Sequence, residues 1–174
     1  MTDEATELST GARRLGWFND LPADQAVQEL LAVCHSRRWA ERVAAGRPYP
    51  DLAALQRTAD EVWTGLEPAD WLEALAGHPR IGERGGAAPG SSSREQAGVD
   101  AAGQDVRAAI ADGNATYERR FGHVFLISAE GRGAGEILAN LRERLGNDPD
   151  TELRVAAGEH RRITRLRLER LLRG

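Results

Sequence analysis

Apolar residues at helical spacing fill most of this chain, and that spacing limits the folds open to it. One segment shows the pattern clearly, with Asp51 at a capping position and apolar side chains at positions 52, 55, 59, 62 and 63. Such an apolar stripe must be covered by neighbouring helices. Because no repeat or linker divides the 174 residues, the sequence predicts an all-α fold, a single-domain helical bundle of about seven to nine helices.

Proline, glycine and capping residues set the predicted boundaries of the other helices. Pro22 stands at a first-turn position of a helix that runs to Val33, and Ser36 begins the next, which ends before the turn at 47–50. The remaining helices are predicted from Pro68, over 106–121, over 134–145 and from Thr151 nearly to the C-terminus. The short apolar run at 124–129 fits either an extended segment or a buried helical turn.

Composition argues against several classes of partner and cofactor. A net charge of −4 gives no reason to expect nucleic acid, and the single cysteine, Cys34, excludes an internal disulfide and multi-cysteine zinc sites. The sequence has no HExxH pattern and no acidic calcium loop, so we expect no metal. All 23 basic residues are arginine, which together with abundant alanine and glycine indicates a GC-rich bacterial genome.

The N-terminal residues 1–15 are expected to form a flexible tail ahead of one helical domain at 16–174. This tail contains no apolar core, so it resembles neither a signal peptide nor a membrane span. A cytoplasmic protein with no membrane partner is the expectation.

The segment GHPRIGERGGAAPGSSSREQAG, from Gly77 to Gly98, interrupts the helical pattern. Loops longer than about 12–15 residues are uncommon in small domains and are usually functional or disordered. Within it, Ser92 and Glu95 have the spacing of a capping box, in which Glu95 would only satisfy a backbone donor. Alternatively, Ser92, Glu95 and Gln96 present a hydroxyl, a carboxylate and an amide to a ligand at a helix N-terminus. Both interpretations stay open.

His78 is the titratable residue at the start of this segment. Pro79 disfavours helical backbone at His78, so the preceding helix must end there. Such a histidine can cap the C-terminus of a helix, but its pKa near neutrality also suits proton transfer. A loop that folds back would bring His78 and Glu95 together.

Arg167 is a cation near the middle of the apolar stripe of the last helix, which is formed by Leu153, Ala156, His160, Ile163, Leu166 and Leu171. A guanidinium that faces a core needs an anionic or polar partner. The partner is an internal carboxylate or a bound anion, or the side chain extends past the helix end to reach solvent. The sequence leaves these interpretations open.

Taken together, these motifs resemble the family of 2-oxo-4-hydroxy-4-carboxy-5-ureidoimidazoline (OHCU) decarboxylases. The resemblance covers about Gly16 to Leu172. Its motifs are HPRIG at 78–82, Ser-x-x-Glu-Gln at 92–96, Asn-x-x-Tyr-x-x-x-Phe-Gly at 114–122, LGNDPDTELRVAAGE at 145–159 and ITRLRL at 163–168.

The resemblance implies an all-helical homodimer without metal or organic cofactor, which releases CO2 and forms (S)-allantoin in urate breakdown. It assigns catalysis to His78 and Glu95. It assigns substrate contacts to Pro79, Ser92, Gln96, Arg167 and the backbone of Leu126, Ile127 and Ser128, whose amides would face the substrate ring. The alternative is a non-catalytic helical domain that binds a ligand or a partner and keeps the pocket.

Overall fold

The structure is a computed structural model that describes residues 2–81 and 103–173, with side chains described from residue 11 onward. Eight helices make up the regular structure of these residues, and no strand occurs among them. The helices are α1 Thr2–Asp20, α2 Ala23–Val33, α3 Arg37–Ala45, α4 Leu52–Thr64, α5 Pro68–Ala76, α6 Gln104–Phe121, α7 Ala134–Arg144 and α8 Pro149–Arg173. The predicted all-α fold is confirmed.

Two compact units divide the chain, one formed by residues 1–74 and 161–174 and the other by residues 75–160. We call them the outer-sequence unit and the central unit. Among the residues described, none of the helices has the length and apolar character that crossing a membrane requires.

In the outer-sequence unit, several polar side chains form hydrogen bonds with the backbone. The indole Nε1 of the fully buried Trp39 donates to the carbonyl of Ala59 at 3.0 Å. Asn19 forms two hydrogen bonds of 2.9 Å with the backbone of Tyr49. Arg47 donates to the carbonyls of Phe18 and Leu21 at 2.9 and 2.8 Å, near the end of α1. These contacts give structural roles to residues that sequence alone could not assign.

The central unit is built around α6 and α7. Its core contains one face of α6, one face of α7 and the apolar run at 124–129, which has no regular secondary structure. The side chain of Ile81 joins the same core. The end of the HPRIG segment and the 124–129 run therefore pack against one set of helices.

Helix boundaries predicted from capping residues agree closely with the structure. The Asp51 carboxylate accepts from the amide of Ala54 at 2.7 Å, and Ser36 caps α3 through the amide of Trp39 at 3.3 Å. The last helix begins at Pro149, two residues before the predicted Thr151. At the N-terminus, α1 is already helical from Thr2, so the boundary expected between a tail and a domain at residues 15 and 16 falls inside one helix.

Candidate active site

Three contacts within the central unit fix the backbone of the HPRIG segment. The amide of His78 donates to the carbonyl of Leu75 at 3.1 Å, which closes the end of α5. The guanidinium of Arg80 donates to both carboxylate oxygens of Glu118, at 2.5 and 2.9 Å. One turn away on α6, the amide group of Asn114 donates to the carbonyl of Ile81 at 2.9 Å.

The Asn114 contact links the HPRIG segment to the motif that begins at Asn114. The Asn114 side chain, which is 3% exposed, supplies the hydrogen-bond donor for the Ile81 carbonyl. The segment that carries His78 is thus held by α6 at its far end and by α5 at its near end. This arrangement limits the positions that the His78 ring can adopt.

His78 is itself buried, with 6% of its surface exposed. Its ring lies edge-to-face against the ring of His160, with the centroids 4.9 Å apart and the planes at 78°. His160 is fully buried on α8. Pro79, the residue after His78, is half-buried. A buried imidazole with restricted orientation is suited to directed proton transfer.

The backbone at 126–128, predicted to contact a substrate, is held from two sides. Arg144 on α7 donates to the carbonyl of Leu126 at 2.7 Å. The amide of Ser128 donates to the carboxylate of Glu159 on α8 at 2.8 Å. The Ser128 amide, which we expected to face a substrate ring, is therefore engaged by Glu159. Ile127 lies between the two anchored residues.

A buried charged cluster supports the Leu126 anchor. Arg144 donates to one carboxylate oxygen of Glu152 through two nitrogens, at 2.8 and 2.6 Å, and the Tyr117 hydroxyl hydrogen bonds to the same oxygen. Asn147 donates to the other oxygen at 2.7 Å. Burial, together with the hydrogen bond to Glu152, raises the pKa of Tyr117, so its hydroxyl stays protonated and can donate.

Arg167 lies in the outer-sequence unit and is buried, with 6% of its surface exposed. It donates to the carbonyl of Val33 at 3.2 Å, at the C-terminal end of α2. A cation is favoured there because carbonyl groups at a helix C-terminus carry partial negative charge. Next to it, burial raises the pKa of the Cys34 thiol to about 12, so this cysteine is a neutral thiol at pH 7.

His35 allows a pH prediction for the outer-sequence unit. Burial and the nearby Arg167 lower the pKa of His35 in the folded protein. The unfolded chain, with a histidine pKa of about 6.5, then takes up a proton first as the pH falls. The contribution of His35 to stability is thus complete above about pH 6.5 and declines between that pH and the lower folded pKa.

Urea unfolding at pH 7.5 and 5.5 should show a smaller loss of stability in His35→Gln than in wild type. An equal loss in the two proteins would contradict the prediction, and His123→Gln controls for removing a histidine elsewhere.

The structure places some of the predicted site residues together and leaves others untested. His78 and the 126–128 backbone lie in the central unit, and neighbouring residues of α8 contact both. Ser92, Glu95 and Gln96 lie outside the described residues. Among the residues described, no group of three His, Cys, Asp or Glu side chains could hold a metal ion.

Sequence reasoning missed Glu159, His160, Arg144 and Asn114. Glu159 and Asn114 occur in the quoted motifs, but spacing alone gave no contact for them. His160 was placed on the apolar stripe of the last helix, and no role was predicted for Arg144.

Comparison with known proteins identifies relatives that match most of this chain. The family model described as "OHCU decarboxylase" matches residues 19–169. The 2-oxo-4-hydroxy-4-carboxy-5-ureidoimidazoline decarboxylase of Amia calva is 33% identical over 138 residues, which cover 76% of this chain and 79% of that protein. "Uric acid degradation bifunctional protein TTL" of Arabidopsis thaliana is 32% identical over 150 residues, 82% of this chain. The match spans less than half, 46%, of that longer relative.

A solved structure supports the same relationship. The crystal structure of an OHCU decarboxylase determined in the presence of (S)-allantoin superimposes with a TM-score of 0.73 at 32% sequence identity. The match covers 83% of this chain and 96% of that chain. Fold and sequence therefore agree over nearly the full length of that protein.

Proposed function

We propose that this chain, which belongs to the OHCU decarboxylase family, is a carboxy-lyase that converts 2-oxo-4-hydroxy-4-carboxy-5-ureidoimidazoline to (S)-allantoin and CO2. The observation that carries the proposal is the match to nearly all of an OHCU decarboxylase solved in the presence of (S)-allantoin. A buried histidine held between two helices is consistent with such an enzyme.

The chemistry of the substrate makes a cofactor unnecessary in this proposal. When the bond to the carboxylate breaks, CO2 leaves and the electron pair passes to the adjacent ring C=N group. The resulting enol-like intermediate must then take up a proton on one face of the ring carbon that carries the ureido group. An active site that holds the intermediate in one orientation directs the proton to one face, and the product is a single enantiomer.

His78 and Glu95 are the proposed catalytic residues. His78 transfers the proton of the substrate hydroxyl, and its buried ring of restricted orientation supports this role. Glu95 orients the ureido group with help from Gln96. Pro79 and Ser92 complete the substrate contacts proposed for this segment.

The 126–128 backbone is proposed to bind the substrate ring through groups that have no hydrogen-bond partner among the described residues. The carbonyl of Leu126 accepts from Arg144, and the amide of Ser128 donates to Glu159. We therefore assign the ring contacts to the backbone of Ile127 and to the amide of Leu126, rather than to the amide of Ser128.

Optical activity tests the proposed reaction directly. Purified protein is added to freshly generated OHCU, and the rotation of the solution is followed against a sample without protein. We expect rapid formation of optically active (S)-allantoin, whereas the spontaneous reaction lacks this stereocontrol. If the rate and the rotation match the sample without protein while allantoin still binds, the non-catalytic ligand-binding alternative is correct instead.

Arg167 is proposed to bind polar oxygens of the substrate ring and ureido group. Arg167→Lys keeps the charge but loses the planar pair of donors, so turnover should fall at least tenfold, roughly one lost bidentate interaction. Because Arg167 also donates to Val33, we expect a loss of about 1 kcal/mol in the free energy of unfolding. Arg167→Met keeps much of the volume without the charge. Normal turnover and normal allantoin binding in Arg167→Met would exclude the assignment, and a large loss of stability in both variants would indicate a structural role.

Metal removal should leave the rate unchanged. The proposed electron acceptor belongs to the substrate, so no step needs a Lewis acid. Turnover is measured before and after exhaustive dialysis against EDTA, with back-addition of zinc or manganese as the control. Loss of activity that either metal restores would overturn the cofactor-free proposal.

A homodimer and a cytoplasmic location in a bacterium complete the proposal. The homodimer is implied by the family resemblance and the location by the sequence. Sedimentation of the purified protein at several concentrations tests the dimer.

A further inference from the structure

We propose that Glu159 and His160, consecutive residues of α8, are positioning residues that set the distance between the His78 ring and the substrate-binding backbone of Ile127, which Ser128 follows. This role rests on the proposed function, because the His78 ring and the 126–128 backbone are assigned to catalysis and substrate binding only there. Neither residue is assigned a role by the motifs or by the comparisons.

The first half of the arrangement is the contact with Ser128. Glu159 is buried, with 8% of its surface exposed, and its carboxylate accepts the Ser128 amide at 2.8 Å. A charged acceptor makes this hydrogen bond stronger than one between neutral groups. The 124–129 run has no helix or strand of its own to fix it. The bond to Glu159 therefore fixes one end of the backbone that we assign to the substrate ring.

The second half is the contact with His78. The His160 ring is fully buried and presents an edge-to-face contact at 4.9 Å between centroids. This geometry is a favoured one for aromatic rings, and it resists rotation of the His78 side chain. The ring of His160 thus acts on the orientation of His78, not on the reacting atoms.

The two contacts act together because Glu159 and His160 are adjacent residues of one helix. Consecutive residues of an α-helix are related by a rise of about 1.5 Å and a rotation of about 100°. The helix is a rigid link of defined length between the Ser128 amide and the His78 ring. A displacement of about 1 Å between reacting groups can lower a rate a hundredfold, so such a link matters to catalysis.

Two pairs of variants test the proposal, each with a conservative partner. His160→Ala removes the ring, whereas His160→Phe keeps an aromatic ring of similar shape. Glu159→Ala removes the acceptor, whereas Glu159→Gln keeps an acceptor oxygen. His123→Ala is the control for loss of a histidine ring in the same unit, since His123 packs on Tyr117 and Phe121.

For each variant we would measure kcat, KM, the enantiomeric excess of the allantoin and the melting temperature. We expect the alanine variants to lose roughly ten- to a hundredfold in kcat with little change in KM, and to yield allantoin of lower enantiomeric excess. The conservative variants should recover most of the kcat and the enantiomeric excess. Alanine variants that keep wild-type kcat and enantiomeric excess, or conservative variants that recover neither, would overturn the proposal.

Proton NMR of the His78 ring gives a readout that needs no turnover. The His78 resonances are assigned by their absence from a His78→Asn spectrum. We expect them to move in His160→Ala, because the ring current of His160 is lost, and to stay in place in His123→Ala. Unchanged His78 resonances in His160→Ala would refute the positioning role even if the wild-type protein fails to turn over OHCU. Failure of the wild type alone, with the expected shift, would refute only the proposed function.

Discussion

His78→Ala is expected to lower kcat by roughly 10²- to 10⁴-fold, the range typical of a lost general acid or base. The fold should survive, because the HPRIG backbone is held by contacts that do not involve the imidazole: the Arg80 bonds to Glu118 and the Asn114 bond to Ile81. Turnover and thermal melts are measured on the same samples. His123→Ala, which removes another histidine ring of the central unit, should keep wild-type turnover. Equal rates in His78→Ala and wild type would remove His78 from the mechanism.

Glu95→Ala is expected to give a similar loss of turnover, and Glu95→Gln separates the two interpretations of this residue. A capping box accepts glutamine in place of glutamate, so Glu95→Gln would keep a cap and its stability. A catalytic carboxylate cannot be replaced in this way, so turnover should still fall. If Glu95 serves only as a cap, Glu95→Ala should cost about 1 kcal/mol of stability and Glu95→Gln almost nothing, with turnover intact in both.

The sequence predicted those parts of the fold that depend on neighbouring residues. Caps such as Asp51 bond to an amide three residues away, so a short motif is enough to reveal them. The start of α1 was not predicted because the first ten residues contain few apolar side chains. Local signals thus predicted most helix ends, whereas the start of α1 lacks such signals and was not predicted.

The face of α8 shows why the buried site was harder to predict. Hydropathy placed Leu166 and Leu171 on the buried stripe, but the structure leaves them half-buried and buries Leu168 and Leu172 instead. Polar residues such as Glu159 occupy much of the buried face, and a pattern that counts apolar side chains cannot locate them.

The partners of these polar residues lie far away in sequence. Ser128 and Glu159 are 31 residues apart, and no spacing rule connects a loop amide to a helix carboxylate over such a distance. Arg167 could be recognised as a buried cation, but its bond to the Val33 carbonyl spans 134 residues. The sequence shows that such a residue needs a partner, but only the structure identifies that partner.

Glu152→Ala is expected to produce the largest loss of stability in the central unit, about 3–5 kcal/mol, the usual cost of breaking a buried ion pair from one side. Arg144 is 3% exposed and would keep its charge without the carboxylate that now accepts its two hydrogen bonds. The Tyr117 hydroxyl and the Asn147 amide would lose their acceptor as well. A loss of this size is a large part of the free energy of unfolding of a typical domain, which is about 5–15 kcal/mol.

Urea unfolding of four proteins tests the role of this cluster. Glu41→Ala is the control, because its i,i+4 pair with Arg37 is exposed at 3.6 Å and should contribute no more than about 0.5 kcal/mol. The double variant Arg144→Met with Glu152→Leu removes both charges at once, so it should be more stable than Glu152→Ala despite losing more polar groups. Because Arg144 also holds the Leu126 carbonyl, the double variant should still lose turnover although it regains stability. A Glu152→Ala protein as stable as Glu41→Ala would show that the buried pair does not hold the central unit together.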